Sequence, residues 1–306
     1  MKSASAWFMD VARQIRNALF RTFSLETKKH YETIENLDGY DLFLSQTAVD
    51  FAPEPIGLAH AYKRRVYANP ERLREGFAEA VQRGWLVRDK DNEAAYRPSE
   101  KAVALVEHIN AITKERLAEA VSLPDGDLER VTGLLGKVVT AADQGNLFEE
   151  KYALYLMHKT DPPADASLVQ RARQPVLQLL AYRDDAHIAA WAMHQLEGNV
   201  LETLTYLWRS EGYTAAELNE KLSFRNYKQA DYEKALQELA QRGWVVAEGD
   251  SYRITPEGQN VREAIEAQTN LFFDAPFEAL SDAEKQELEE LLNRWAAALQ
   301  PATATA

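Results

Sequence analysis

Three consecutive cations, Lys63-Arg64-Arg65, and then Tyr67 stand just ahead of a segment opened by Asn69-Pro70-Glu71. Cations and a phenol at the mouth of a helix suit phosphate oxygens, which they grip while the helix is aimed at its target. The second half of the chain carries Arg225-Asn226-Tyr227-Lys228 in the matching place, so an Arg-x-Tyr pair stands twice. Arg72 and Arg74 fall on the outward side of the first helix, where base edges are read. Arg88 and Lys90 follow in the next turn. The plainer alternative is a solvated loop whose cations balance Glu71 and Glu75.

A second group is aromatic. Residues 186–194, with His187, Trp191 and His194, offer rings for a ligand pocket, as do Trp7, Phe20, Phe23, His30 and Tyr31 in the first half. Core packing explains such side chains equally well. His187 and His194 share a helical face but sit about 10 Å apart along the axis, too far to hold one metal ion unaided. There is no glycine-rich phosphate loop, no His-Glu-x-x-His, and no arguable Ser-His-Asp set. Catalysis and cofactors are therefore not expected.

Bulk composition narrows the field. The chain has 306 residues with 46% hydrophobic and 27% charged, a globular balance with room for two domains. It has no cysteine, which excludes disulfides and thiolate chemistry and suits a reducing cytoplasm. The first ten residues hold one cation and no apolar core, unlike a secretory signal, and no membrane span is expected. A net charge of −13 opposes polyanion binding, but it is uneven. Residues 1–145 hold 20 Lys+Arg against 22 Asp+Glu, and residues 146–306 hold 15 against 26. Contact with nucleic acid is expected mainly through the first half.

The elements that must position these side chains come as a repeat. Residues 77–87 align on 236–246 without gaps, and Gln82-Arg83-Gly84-Trp85 is identical to Gln241-Arg242-Gly243-Trp244 at an offset of 159. Asn36-Leu37-Asp38-Gly39 meets Gln195-Leu196-Glu197-Gly198 at the same offset, Ala12-Arg13-Gln14 meets Ala172-Arg173-Gln174 at 160, and Tyr96-Arg97 meets Tyr252-Arg253 at 156. Leu73, Phe77, Ala80 and Val81 form one helical stripe, repeated by Tyr232, Leu236, Leu239 and Ala240. Gly84 and Gly243 close these helices. Short β-prone runs follow, 85–87 with 94–97 and 244–247 with 251–254, the latter turning at Glu248-Gly249-Asp250. A helix over 201–209 and a capping box at Thr214-x-x-Glu217 precede the second copy's long helix. Further helices are expected at 99–117, 127–142, 256–272 and 281–299. The spacing also predicts a helix at 147–159 without a counterpart, between hinges at 144–146 and 161–163. The expectation is mainly α with small β-hairpin wings: two tandem winged helix-turn-helix units, 1–145 and 146–306, with flanking helices and an internal pseudo-twofold axis.

The second copy resembles MarR-type winged-helix regulators through Leu236-x2-Leu239-x2-Arg242-Gly243-Trp244 and Ile254-Thr255-Pro256-Glu257-Gly258. The first copy matches through Gln82-Arg83-Gly84-Trp85, with Pro98-Ser99-Glu100 a looser version of the second motif. The resemblance covers about 60 residues of each copy. It implies terminal helices that pair the units, one recognition helix per unit in the major groove, and a small aromatic effector held between helical region and DNA-binding lobe. It thus implies a DNA-binding transcriptional regulator and a pseudo-dimeric monomer, open to further dimerisation. For similar half-sites, the two recognition helices should stand about 34 Å apart. One departure bears on DNA: where the family's wing carries an acidic-x-Arg element, the second copy has only Glu248-Gly249-Asp250, while the first has Arg88-Asp89-Lys90. The alternative is a winged-helix scaffold that serves a small ligand or a protein partner without touching DNA.

Overall fold

A computed structural model describes residues 3–34 and 37–300 of the chain. Asn36 of the aligned segment therefore lies outside the described residues. The first half runs α1 (Ala4–Glu32), α2 (Gly39–Phe51), α3 (Leu58–Arg64), α4 (Pro70–Gln82), β1 (Leu86–Arg88), β2 (Tyr96–Pro98), α5 (Glu100–Ala118) and α6 (Asp125–Gln144). After α7 (Tyr152–His158), the same order returns as α8 (Leu168–Ala192), α9 (Gly198–Trp208), α10 (Ala215–Lys221), α11 (Gln229–Gln241), β3 (Val245–Glu248), β4 (Ser251–Ile254), α12 (Pro256–Asp274) and α13 (Asp282–Ala298). The molecule is mainly helical, with two antiparallel two-stranded sheets.

Local chemistry explains the matching ends. Asn69 Oδ1 accepts from the Glu71 amide at 2.9 Å, and Pro70 occupies the first turn of α4, where its missing N–H costs nothing. Gly84 and Gly243 both adopt φ +76°, the left-handed conformation that lets a chain leave a helix. The next amide then reaches back five residues, Trp85 N to Ala80 O at 2.8 Å and Trp244 N to Leu239 O at 3.0 Å. Ser99 and Thr255 each make two bonds that tie one helix to another. Their hydroxyls accept from Ala102 N and Gly258 N, both at 3.1 Å, and donate to the carbonyls of Gly84 (2.8 Å) and Gly243 (2.7 Å). The looser Pro98-Ser99-Glu100 motif thus builds the same joint as Ile254-Thr255-Pro256.

Each hairpin gains a third partner from upstream. Ile56 N donates to Tyr96 O at 2.8 Å, and Tyr213 N donates to Tyr252 O at 3.1 Å. Beneath them lie two lobe cores. One is built around Leu44, Leu73, Phe77 and Trp85, the other around Leu204, Leu236, Leu239 and Val245.

A third core joins the halves. It gathers Phe8, Ile15 and Leu19 of α1, Val131, Leu135 and Val138 of α6, Val176 and Leu179 of α8, and Leu288, Leu292 and Trp295 of α13. The helices are exchanged: α1 packs on α13, and α8 packs on α6, so each half closes on the last helix of the other. Charges on α6 and α13 follow the same rule. Lys137 pairs with Glu284 at 2.6 Å and Arg294 with Asp127 at 2.9 Å. A shift of 157 turns one pair into the other with the halves swapped, and it carries Arg130 onto its own partner Glu287, 2.6 Å away. Such reciprocity is what a two-fold contact between equivalent surfaces produces.

The unmatched α7 bridges. Its first amides, of Ala153 and Leu154, donate to the Asp185 carboxylate of α8 at 2.8 Å each. Leu156 and Tyr152 meanwhile pack into the first lobe's core.

Two glycines separate packing from propensity. A Cβ at Gly258 would overlap the Trp244 carbonyl, whereas one at Gly133, on the outside of α6, meets nothing. Gly258→Ala is expected to cost at least about 2 kcal/mol through overpacking, while Gly133→Ala should gain about 1 kcal/mol from helix propensity. Urea unfolding of the two variants checks both signs.

Candidate nucleic-acid interface and the junction between the halves

The segment ahead of α4 and the segment ahead of α11 meet each other. The Asn69 amide donates to the Arg225 carbonyl at 3.2 Å, and the Asn69 side-chain amide donates to the Asn226 carbonyl at 2.8 Å. Asn226, held at φ +61° behind a short 3-10 turn (Ser223–Arg225), donates from its own side chain to the Tyr40 hydroxyl at 3.1 Å. The Tyr227 hydroxyl donates to the Ala68 carbonyl at 3.1 Å. At Gly198, the first residue of α9, an added Cβ would run into the Val66 carbonyl, and Val66 and Tyr67 pack on the second lobe's core. The Arg-x-Tyr pairs expected to grip phosphate thus form the seam between the lobes. Tyr67 and Tyr227 are both displaced by burial to pKa values well above the ordinary phenol range.

This seam sets the reach of the two recognition-type helices. Each is 13 residues long, so its midpoint lies about 10 Å from its start. The hydrogen bonds run from Asn69, at the start of α4, to Arg225 and Asn226, which precede the first residue of α11 by four and three positions. Two half-sites one turn apart need about 34 Å.

Three of the nine expected cations are committed inside the molecule. Arg64 pairs with Asp50 at 2.8 Å, Arg72 with Glu79 at 3.1 Å, and Arg225 with Glu202 at 2.6 Å. Arg72 also lies 4.3 Å from the centre of the Tyr40 ring. Arg65 sits 3.8 Å from the Phe43 ring centre, and burial beside Arg64 and Arg225 lowers its pKa. Lys63 pairs with Glu150 and Arg74 with Glu71 at the surface, where such pairs stay labile. Lys228 is exposed ahead of α11. Arg88 donates to the Glu93 carbonyl at 2.8 Å, and both it and Lys90 are exposed around the first hairpin. The hollow between the starts of α4 and α11 is lined by Glu71, Glu75 and Asp231 as well as Arg72 and Lys228. Carboxylates there repel phosphate.

The aromatic set does not gather into one pocket. Trp7 is buried edge-on to Phe8 and Phe277, and Phe23 is buried on the same helix, while Phe20 points outward with 54% of its surface exposed. His30 lies against His108, and Tyr31 packs under the first lobe. Trp191 is buried in the second lobe, and His194 meets Trp244 edge-on. Only His187 of the eight lines a sizeable cavity, a space of about 410 Å³ bounded by α7, α8 and residues 63–67. Sequence reasoning missed its other walls, Arg16, Asp184 and α7. Nothing local marks Arg16 or Asp184 among the many surface charges, since the chain brings them together only in three dimensions.

Comparison with known proteins follows the half that repeats the motif best. A family model described as a helix-turn-helix family matches residues 162–306. Those residues carry a helix-turn-helix domain. The matched span takes in α8 through α13, with α10 and α11 as the helix pair ahead of the second hairpin. No curated protein and no solved structure matches the chain. No helix among the described residues is long and apolar enough to cross a membrane, and no group of His, Asp or Glu among them is placed to hold a metal ion.

His187 supplies a pH test of this environment. Burial, with Arg262 nearby, lowers its pKa to about 4, and its Nδ1 lies 3.1 Å from Thr269 Oγ1. A histidine depressed on folding is protonated first in the unfolded chain, so its effect is absent above pH 6.5 and erodes stability as the pH falls toward 4. At pH 5 the loss is about 2 kcal/mol relative to pH 7. His187→Asn should remove that share of the acid sensitivity, as read by urea unfolding at the two pH values. An unchanged pH dependence would show His187 to be accessible to protons in the folded state.

Proposed function

We propose that this chain is a non-catalytic DNA-binding regulator made of two winged helix-turn-helix units, copied from one ancestral half and fused as an internal pseudo-dimer of MarR-like kind. The observation that carries this reading is the double occurrence of one construction. A three-helix set, a glycine at φ +76°, a hairpin and a hydroxyl-capped return helix occur in both halves, and a helix-turn-helix family matches the second. The exchanged terminal helices and the reciprocal Lys137–Glu284 and Arg294–Asp127 pairs support the pseudo-twofold axis.

The first unit is favoured for contact because Arg74, Arg88 and Lys90 stand exposed on it. The second unit's hairpin turns through Glu248-Gly249-Asp250 and has no cation at its tip. A specific observation favours a second reading, a scaffold that does not touch DNA: Arg64, Arg72 and Arg225 are all neutralised internally, and carboxylates line the hollow between the helix starts.

Selection from a random duplex pool, followed by salt titration, tests both. The regulator reading expects an enriched motif and an affinity that falls steeply with salt. Arg88→Ala with Lys90→Ala should weaken binding tenfold or more and lower the salt slope by roughly 2, the loss of two phosphate contacts. No enrichment at low salt would retire DNA binding in favour of the scaffold.

A further inference from the structure

The helix α7 lies between two loops, 145–151 and 159–167, and each of its ends is held through one titratable side chain. At its start, the Asp185 carboxylate of α8 takes the amides of Ala153 and Leu154 at 2.8 Å each. Asp185 is buried, and no cation pairs with it among the described residues. The charges that face it are Glu150 and Lys151 ahead of α7 and Asp184 on its own helix, with the Tyr182 phenol one turn away. Lys151 donates its Nζ to the carbonyls of Asp143, at 2.7 Å, and of Gly145.

At the other end, His158 stands between two carboxylates. Its Nε2 lies 3.0 Å from Asp143 Oδ1 of α6, and its Nδ1 lies 3.4 Å from Asp161 Oδ2. Asp161 is fixed to α8, accepting from Gln174 at 3.0 Å and from Gln178 at 2.8 Å. Gln178 Nε2 also stands 3.1 Å from the His158 ring. Lys159, next in the chain, lies over the Phe51 and Tyr155 rings and does not face this group.

Both ends answer protons in the same direction. Burial, reinforced by Asp184 and Glu150, raises the Asp185 pKa to about 7 against the lowering pull of the two amides. A carboxyl freed into water returns to the ordinary value of 3.8, so docked α7 keeps a proton that undocked α7 gives up. Docking is then strongest in acid and weakens as the pH rises from about 4 to 7. Burial lowers the His158 pKa, but Asp143 and Asp161 outweigh it and the net shift is upward. Its share of docking is complete below pH 6.5 and is lost as the pH climbs through the raised value.

We propose that α7 is a proton-sensitive latch, closed on α8 in acid and loosened as the solution turns alkaline, when both of its ends lose a proton. What the latch holds is the first lobe. The Tyr152 hydroxyl donates to the His60 carbonyl of α3 at 3.0 Å, Leu156 lies in that lobe's core, and Lys63 pairs with Glu150. Opening α7 loosens α3 from the shared helical core. The device goes beyond the nucleic-acid reading and does not depend on it.

Hydrogen exchange of the intact chain, read peptide by peptide and corrected for the intrinsic pH dependence of exchange, measures the opening of the latch. Protection over residues 152–158 should fall by about tenfold or more between pH 6 and pH 8, while that over residues 285–295 of α13 does not fall. Asp185→Asn should leave only the part of the response that belongs to His158, and His158→Gln only the part that belongs to Asp185. The double variant should show no pH response in α7. A purely structural role for either residue would lower protection equally at every pH. Circular dichroism confirms that each variant is folded. Wild-type α7 protection that is constant or rises from pH 6 to pH 8, a loss shared equally with α13, or a pH response that persists in the folded double variant would each overturn the proposal.

Discussion

The carbonyl of Val66 lies so close to the start of α9 that only a glycine fits at position 198. Around that contact the Asn69, Asn226 and Tyr227 side chains exchange hydrogen bonds with backbone groups and with Tyr40. The two lobes are thereby joined where the chain approaches α4 in one and α11 in the other. A joint made of backbone and short amides is stiff, because few rotamers separate the contact from the main chain. The position of α4 relative to α11, the burial of Tyr67 and the floor under Arg65 all follow from it.

The exchanged terminal helices hold the same relation from the opposite end. With α1 closing on α13 and α8 on α6, neither half completes its helical core alone. The large side chains Phe8, Trp295, Phe273 and Phe277 are each almost wholly buried there. Separating the halves would return that apolar surface to water at roughly 25 cal/mol per Å², to which breaking surface ion pairs such as Arg130–Glu287 adds little. Two boundaries, one helical and one at the lobe seam, therefore act on the same pair of bodies. The helix α7 has no counterpart in the element order of the first half.

Charge explains why the cations invite one reading in the sequence and occupy another place in the fold. Lys63-Arg64-Arg65 is a dense positive run, and a run of that kind beside a helix start suits phosphate. The carboxylates that answer it come from elsewhere: Asp50 on α2, and Glu150 just before α7. Likewise, Arg225 is answered by Glu202 of α9, 23 residues earlier. A neutralised guanidinium must break an existing pair before it meets a new anion, so local density overstates what is available. Arg65 is the exception, because its neighbours are Phe43 and Tyr40 rather than a carboxylate.

The local constructions were legible from residue types alone. Asn69-Pro70 opens α4, Gly84 and Gly243 end their helices, Thr214 and Glu217 cap α10, and the β-prone runs pair as hairpins, because each depends on backbone chemistry within a few positions. The helix α7, ahead of the second half's elements, also formed, over a shorter span than its apolar residues suggested, since Phe148 packs into the shared core without helical backbone. The great length of α1 and α8 was less visible. Their apolar residues face more than one neighbour, which blurs a single helical stripe. What only the tertiary structure decided was which groups meet across more than 100 positions: Tyr227 with Ala68, Asn226 with Tyr40, Gly198 with Val66. Capping and periodicity are settled by neighbours along the chain. Whether a cation is free or paired, and whether a tyrosine faces solvent or a seam, depends on the distance between segments that no local pattern encodes.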